Sequence, residues 1–361
     1  MAQTKRIGVL TSGGDCAGLN AAIRAIVNHA IRHYGWEVMG VKDATLGLMR
    51  RPLDMVPLTL DCFDGTILRL GGTLLGTTNK GDPFAFSTAD GAKRDRSGDF
   101  VEGFHQSGLD GLITIGGDGS LRILSRLCAQ GGIPFVAIPK TIDNDVPGTE
   151  YAIGYATAVD IAVDALDRLQ PTAASHHRVM VLEVMGRDSG FIALAAGVAG
   201  GADIVLLPEL NWSIDDLAAK IRAVTGEGRN HALVVVAEGV RTENGARATA
   251  LQAQGETRYG GIGQYLAARI AEATGAETRV TVLGHVQRGG TPTPQDRLLA
   301  SMFGTHAVDL VAAGKWGRMV AWHNDTIGDV PIAAAIGGPA MLQRDHPLLA
   351  TARALGIYIG G

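Results

Sequence analysis

Cysteine is scarce in this sequence: Cys16, Cys62 and Cys128 are the whole complement. Three scattered thiols cannot make a disulfide framework, and their spacing fits no zinc site. A reducing, cytoplasmic compartment is the natural reading. Basic blocks are also missing. The net charge is -4 and the lysines and arginines are spread along the chain, which argues against nucleic acid and anionic membrane as partners. The opening MAQTKRIGVL lacks the apolar core of a signal peptide. The most apolar stretch, FIALAAGVAGGADIVLLP, is interrupted by Gly200, Gly201 and Asp203. It reads as helix, turn and strand, not as a membrane span. No G-x-x-x-x-G-K-[ST] occurs, so the chain has no P-loop. No internal repeat, low-complexity tract or linker-like shift stands out.

What is present is enough chain for two domains, 361 residues. Apolar residues make up 46% of it, so a large core can form and global disorder is excluded. The 50 glycines follow no fixed period, which points to tight turns and close approaches of backbone to ligand.

Short β-branched runs alternate with longer amphipathic ones. Strands are expected at 6–10, 37–41, 111–117, 134–139, 178–184, 203–208, 232–239 and 278–284. Helices are expected at 18–30, 120–129, 157–169, 190–199, 214–224 and 262–274. Continuous apolar strands separated by helices imply parallel sheets covered on both faces, a doubly wound α/β fold. The polar stretch from Ala85 to Gly103 reads as a surface excursion, and the tail from about Ile327 carries no assignable motif.

In such sheets ligands bind beyond the carboxyl ends of the strands, and the chemistry-bearing segments fall there. TSGGDCAG follows the first strand, GGDGS follows GLITI, KTIDND follows PFVAI, MGRDSG follows RVMVLE, and GHVQRGG follows TRVTVL. The GGD at Gly13 to Asp15 either lets backbone and helix N-terminus meet an anion or is an ordinary glycine turn. GGDGS repeats the arrangement, and Asp118 can hold a hydrated Mg²⁺ or cap its helix. GGIGQYLA at Gly260 follows polar ETRY, not an apolar strand, so it is discounted as a dinucleotide site. In KTIDND, Asp143 and Asp145 point the same way if the segment is extended. One could act as base and the other organise metal; a solvated Asx-rich turn accounts for the spacing equally well. Arg187, His285 and Arg288 follow strands and suit phosphate. Arg178 and Arg279 stand at strand starts, at the opposite ends from this mouth.

Together, IGVLTSGGDCAGLNAAIR, GGTLLGT, IGGDGS, PKTIDND, SHHRVMVLEVMGRDSG, AEG and TRVTVLGHVQRGGTPTPQDR resemble the phosphofructokinase family, in the family's order from residue 7 to 297. GGDG alone also occurs in NAD kinases and diacylglycerol kinases; TIDND with VMGR and GHVQRGG separates this chain from them. The resemblance implies two doubly wound Rossmann-like domains with largely parallel sheets and the active site between them. Residues 1–154 plus about 287–336 would form the phosphoryl-donor domain. Residues 155–286 and the C-terminal tail would form the fructose 6-phosphate domain.

The implied reaction is phosphoryl transfer to the C1 hydroxyl of fructose 6-phosphate with Mg²⁺. By resemblance Asp143 is the proton acceptor, Asp118 binds the metal, and Asp145 organises metal and phosphates. Gly14, Asn79, Lys80, Gly117, Asp118, Gly119 and Ser120 would hold the donor. Thr141, Ile142 and Arg187 would sit at the reacting phosphate. Met185, Gly186 and Glu238 would contact the sugar. His285, Val286, Gln287 and Arg288 would take the 6-phosphate side. Arg178 and Arg279 match residues that the family supplies from a neighbouring subunit, which implies a homodimer or homotetramer.

Two positions bear on the donor. ATP-using members carry Gly after the Asp of GGD, where many pyrophosphate users carry a second Asp, and here it is Gly119. Familiar bacterial ATP users read P-G-T-I-D-N-D, whereas Lys140 here resembles the pyrophosphate enzymes and a mixed subgroup. Gly119 is given the greater weight, because ATP needs the opening and a lysine does not exclude it. ATP is the expected donor and pyrophosphate the alternative. Familiar allosteric members carry Arg-x-x-x-Arg in the first helix; here Arg24 is followed by Asn28, so control by ADP and phosphoenolpyruvate is expected to be weak or absent. A catalytically dead homologue should have lost Asp118, Asp143 or Asp145, and all three are present.

Overall fold

The computed structural model describes residues 4–79, 81–88, 90–251 and 257–361. The chain divides into two compact units, one of Met1–Ala156 with Arg288–Pro339, the other of Thr157–Gln287 with Ala340–Gly361. Among the described residues no helix is long and apolar enough to cross a membrane.

The first unit is built on a seven-stranded sheet. Its strands, in spatial order, are Thr326–Pro331, Arg318–His323, Phe135–Pro139, Gly111–Gly116, Arg6–Ser12, Glu37–Val41 and Met55–Pro57. The inner pairings are parallel and both outermost pairings antiparallel. The inner strands Gly111–Gly116 and Phe135–Pro139 are buried along their whole length, which is why they read as unbroken apolar runs. From Arg6–Ser12 the chain moves to Glu37–Val41 on one side and later returns as Gly111–Gly116 on the other. That reversal is the switch point at which open α/β sheets bind ligands.

The second unit holds a four-stranded sheet in the order Thr278–Val282, Val179–Val184, Ala232–Ala237, Ile204–Leu206, all parallel. The chain leaves Val179–Val184, builds the strands on one side, and returns with Thr278–Val282 on the other. Val179–Val184 therefore borders this unit's switch point. Thr278–Val282 is an edge strand, and none of its residues is fully buried.

The region from Ala85 to Gly103 is not wholly a surface excursion. A short ribbon pairs Phe86–Ser87 with Lys93–Arg94, but helix Ser97–Ser107 begins within the stretch and buries Phe100 and Phe104. Its charged residues hid the buried positions Ser97, Phe100, Gly103, Phe104 and Ser107, which recur at helical spacing. A Cβ on Gly103 would lie 1.9 Å from the Leu48 carbonyl oxygen, so only glycine permits that approach. The tail is structured too: Thr326–Pro331 completes the first sheet, and Leu349 and Ala352 of helix Pro347–Ala354 are buried.

Candidate active site

In the first unit three strand ends converge. Arg6–Ser12 runs into Gly13, whose φ of 87° is the left-handed region open to glycine. A Cβ there would lie 2.6 Å from the Ser120 hydroxyl, and one on Gly14 would lie 2.7 Å from Arg288 Nη1. The turn is fastened by the Gly13 N–H to the Thr78 carbonyl at 3.0 Å and by the Thr77 hydroxyl to the Gly13 carbonyl at 2.7 Å. The glycine turn, Ser120 and Arg288 thus form one cluster, and Arg288 also donates to the Asp15 carbonyl at 3.1 Å.

The second strand end is Gly117, followed by helix Asp118–Gly131. Its first turn presents unsatisfied N–H groups and the positive end of the helix dipole, a site suited to phosphate. The Asp118 carboxylate opens the helix with Arg122 at 3.5 Å. Beside Gly119 there is room: an added Cβ would meet nothing nearer than Arg122 Nη2 at 3.8 Å.

The third is Phe135–Pro139, which leads into Lys140. The Lys140 N–H donates to the Gly116 carbonyl at 2.9 Å, while its ammonium reaches across to the Gly14 carbonyl. Lys140 is buried, and burial pushes its pKa down, against the opposing pull of Asp15 and Asp143. Past Lys140 the segment is not extended. Residues 142–143 form a bend and Asn144 takes a φ of 53°, so alternation does not decide where the two aspartates point. Asn144 pins the bend across the loop: its amide donates to the Glu150 carbonyl at 2.9 Å and its oxygen accepts the Ala152 N–H at 2.9 Å. Asp143 and Asp145 are buried instead of solvated.

Thr141 organises this loop. Its hydroxyl donates to Asp145 Oδ1 at 3.0 Å and accepts the Asp143 N–H at 3.1 Å. The Ile142 side chain is fully buried, so it offers a ligand only backbone. Asp296, which sequence reasoning gave no role, is buried and accepts the Gly154 N–H at 2.9 Å. The adjoining Ile153 clamps the loop's start through the Thr141 N–H at 3.1 Å. Asn79 lies in the stretch that holds Gly13; Lys80 lies outside the described residues.

In the second unit, Val179–Val184 ends in Met185, Gly186 and Arg187. Gly186 has a φ of 142° and Arg187 one of 52°. The latter is strained for a non-glycine residue, costing about 1–3 kcal/mol. It is held by the Arg187 N–H donating to Glu238 Oε1 at 3.1 Å, and the side chain stays exposed. A Cβ on Gly239 would collide with the Arg187 carbonyl at 1.8 Å. Glu238 follows the neighbouring strand, its N–H on the Val184 carbonyl at 2.8 Å. His285 and Val286, in the helical turn Gly284–Arg288, are exposed.

Gln287 departs from its expected place among substrate contacts. It is buried, and its amide is spent on the Met185 N–H at 2.7 Å and the Ala158 carbonyl at 3.2 Å; it braces Met185. Glu183 explains the discounted glycines. Its carboxylate accepts the N–H groups of Gly261 at 3.3 Å and Gly263 at 2.8 Å, filling the helix N-terminus that a dinucleotide would need. Arg178 and Arg279 lie at the starts of parallel strands, away from Arg187 and His285. Both pair with Glu277.

Among the described residues no three His, Cys, Asp or Glu side chains cluster as a metal cage. A single carboxylate beside phosphate-binding backbone is nonetheless how proteins commonly hold Mg²⁺, which keeps most of its water and phosphate ligands. Asp118 fits that donor set.

The phosphofructokinase family model matches residues 6–311. The ATP-dependent 6-phosphofructokinase 1 of Synechocystis sp. is 60% identical over 360 residues, covering 100% of this chain and 99% of the relative. Its namesake in Nostoc sp. is 57% identical, with 100% of both chains covered. Among solved structures, phosphofructokinase from Saccharomyces cerevisiae superposes with a TM-score of 0.77 at 30% identity over 98% of this chain, which spans 47% of the yeast chain. A pyrophosphate-dependent phosphofructokinase from Marinobacter aquaeolei, 22% identical over 98% of this chain and 88% of its own, gives a TM-score of 0.79 and shares the fold. With most of its length inside the family's pattern, this chain belongs to the phosphofructokinases.

Proposed function

We propose that this protein is an ATP-dependent 6-phosphofructokinase, moving the terminal phosphoryl group of ATP to the C1 hydroxyl of fructose 6-phosphate, a step of glycolysis. The observation that carries the choice of donor is the open space at Gly119, at the N-terminus of the helix that would hold the donor phosphates. The names of the relatives at 60% and 57% identity support it.

Phosphoryl transfer asks a protein for alignment and for positive charge around the transferred group. Helix Asp118–Gly131 and the Gly13–Gly14 turn supply N–H donors for the donor phosphates, and Lys140 adds a cation. Asp118 would hold Mg²⁺, which neutralises charge on the donor when bound. Asp143 takes the proton from the C1 hydroxyl as its oxygen attacks phosphorus. Asp145, tied to Thr141, keeps the loop in register. Met185, Gly186 and Glu238 receive the sugar, Arg187 the reacting phosphate, and His285 with Arg288 the 6-phosphate.

Arg178 and Arg279 complete the phosphate site of a second copy in a homodimer or homotetramer. Their strands run about five or six residues, roughly 20 Å, from their own carboxyl-end loops, so they cannot serve those loops themselves.

Lys140 favours a second reading, a pyrophosphate-dependent enzyme, because its buried ammonium could stabilise a phosphate leaving group. Turnover of fructose 6-phosphate with Mg-ATP and, separately, Mg-pyrophosphate decides. Activity with ATP supports the proposal; activity with pyrophosphate alone overturns it.

A further inference from the structure

Arg178, Glu277 and Arg279 form a cluster whose arrangement follows from register. Thr278 lies opposite Val179 in the parallel pair, and the Val179 N–H bonds to the Glu277 carbonyl at 3.0 Å. Arg178 and Glu277 are therefore cross-strand neighbours. Arg279 stands two residues beyond Glu277, on the same face of the strand. Arg178 Nη2 meets Glu277 Oε1 at 2.9 Å, and Arg279 Nη2 donates to the same oxygen. Arg279 Nη1 is anchored on the Thr278 carbonyl at 2.8 Å. Arg178 Nε is buried with no hydrogen-bond partner among the described residues, a donor still to be used.

We propose that Glu277 is a positioning residue for the substrate-phosphate site, holding Arg178 and Arg279 side by side as a preformed clamp that one copy of the chain presents to the sugar phosphate bound by another. This rests on the reading that both arginines act across a subunit interface. Two guanidiniums brought together repel, and free arginine side chains carry large rotamer entropy. A shared carboxylate offsets the repulsion and fixes both forks before the phosphate arrives, so less ordering is left to binding. It leaves the cluster at a net charge of one positive, opposite in sign to an arriving phosphate. A lysine pair could not be oriented this way, because an ammonium lacks the planar fork.

The test uses the full-length oligomer with Glu277→Gln, Arg178→Ala and Arg279→Ala, each measured for kcat and for KM toward both substrates. For Glu277→Gln the expected result is a KM for fructose 6-phosphate raised about tenfold, as lost preorganisation predicts. Its kcat at saturation and its KM for ATP stay within twofold. A role in holding the fold alone would not single out one substrate's KM. If the arginine variants leave that KM unchanged, the cross-subunit reading fails. If they raise it and Glu277→Gln does not, the clamp is overturned while that reading stands; a lowered KM would overturn it too, making Glu277 a competitor for the arginines. Should Glu277→Gln fail to assemble, Glu277→Asp keeps the charge one methylene short of sharing, and an intermediate rise in KM is expected. An unchanged KM in assembled Glu277→Asp would overturn the clamp.

Discussion

The Thr141 hydroxyl donates to Asp145 Oδ1 at 3.0 Å and in the same geometry accepts the Asp143 N–H. One side chain therefore sets the relation between the two buried aspartates. Thr141→Val keeps the shape and removes both bonds. The expected cost is about 0.5–3 kcal/mol per lost bond, the bond to the charged carboxylate being the larger, with a fall in kcat because the loop loses its register. Thr141→Ser should retain most of both. Chemical denaturation and steady-state rates on the two variants check this. Equal behaviour of Val and Ser variants would remove the hydroxyl from the account.

Asp143→Ser separates chemistry from recognition. A hydroxyl is a weak nucleophile at neutral pH, and removing its base costs ~10²–10⁴-fold in rate. Binding of fructose 6-phosphate, measured by calorimetry, should stay within a few-fold of wild type, since the proposed sugar contacts lie on Met185, Gly186 and Glu238. Turnover equal to wild type would take Asp143 out of its role.

Much of this was legible in the sequence, for a physical reason. Parallel strands buried on both faces leave unbroken apolar runs, so Gly111–Gly116 and Val179–Val184 stood out. Their ends carried the chemistry-bearing segments. The bend at Asn144 was not legible, because a left-handed residue between two aspartates leaves no periodic trace. Helix Ser97–Ser107 was masked by charges on its outer face. Asp296 and Glu277 escaped because their meaning is in their partners, distant in sequence or across a strand pair. Gln287 was read as part of a motif, whereas its buried amide holds Met185.

Gly119→Asp tests the donor proposal directly. The fold has room for the side chain, with Arg122 its nearest neighbour at 3.8 Å from the Cβ position, so thermal stability should hardly change. The new carboxylate would stand in the space left for the inner phosphate of ATP, beside Asp118, where like charges repel. KM for Mg-ATP should rise on the order of tenfold or more by electrostatic exclusion, with KM for fructose 6-phosphate little changed. An unaltered KM for ATP would mean that the opening does not receive the nucleotide.

Lys140 gives a pH signature. Burial holds its pKa below the ordinary lysine value of 10.5 in the folded chain. The unfolded chain therefore binds the extra proton between the folded and the ordinary value, and stability without ligand rises as pH climbs through that window. Below it the full penalty of burying the ammonium remains. Lys140→Met removes the penalty, so the variant should melt higher than wild type at neutral pH, with the gap closing as the pH climbs toward the ordinary lysine value of 10.5. Activity should fall at the same time, since the cation for the phosphates is gone. A gap independent of pH would show that the Lys140 pKa is not lowered in the folded chain.

Regulation turns on Asn28. The resemblance calls for a second arginine four residues after Arg24, on the same helix face, to grip an effector phosphate. Here position 28 is neutral and engaged. Its amide donates to the Arg24 carbonyl at 3.0 Å and the Phe63 carbonyl at 3.4 Å, and its oxygen accepts Arg32 Nε at 3.1 Å. Arg24 itself donates to the Asp64 carbonyl at 3.0 Å. One guanidinium in place of two loses a charge-assisted bond worth roughly 1.5–3 kcal/mol, a tenfold or greater loss of affinity. Saturation with fructose 6-phosphate should therefore be close to hyperbolic, and ADP or phosphoenolpyruvate should shift its half-saturation by less than about twofold. A strongly sigmoidal curve relieved by ADP would mean that Arg24 and Arg32 grip the effector without Asn28.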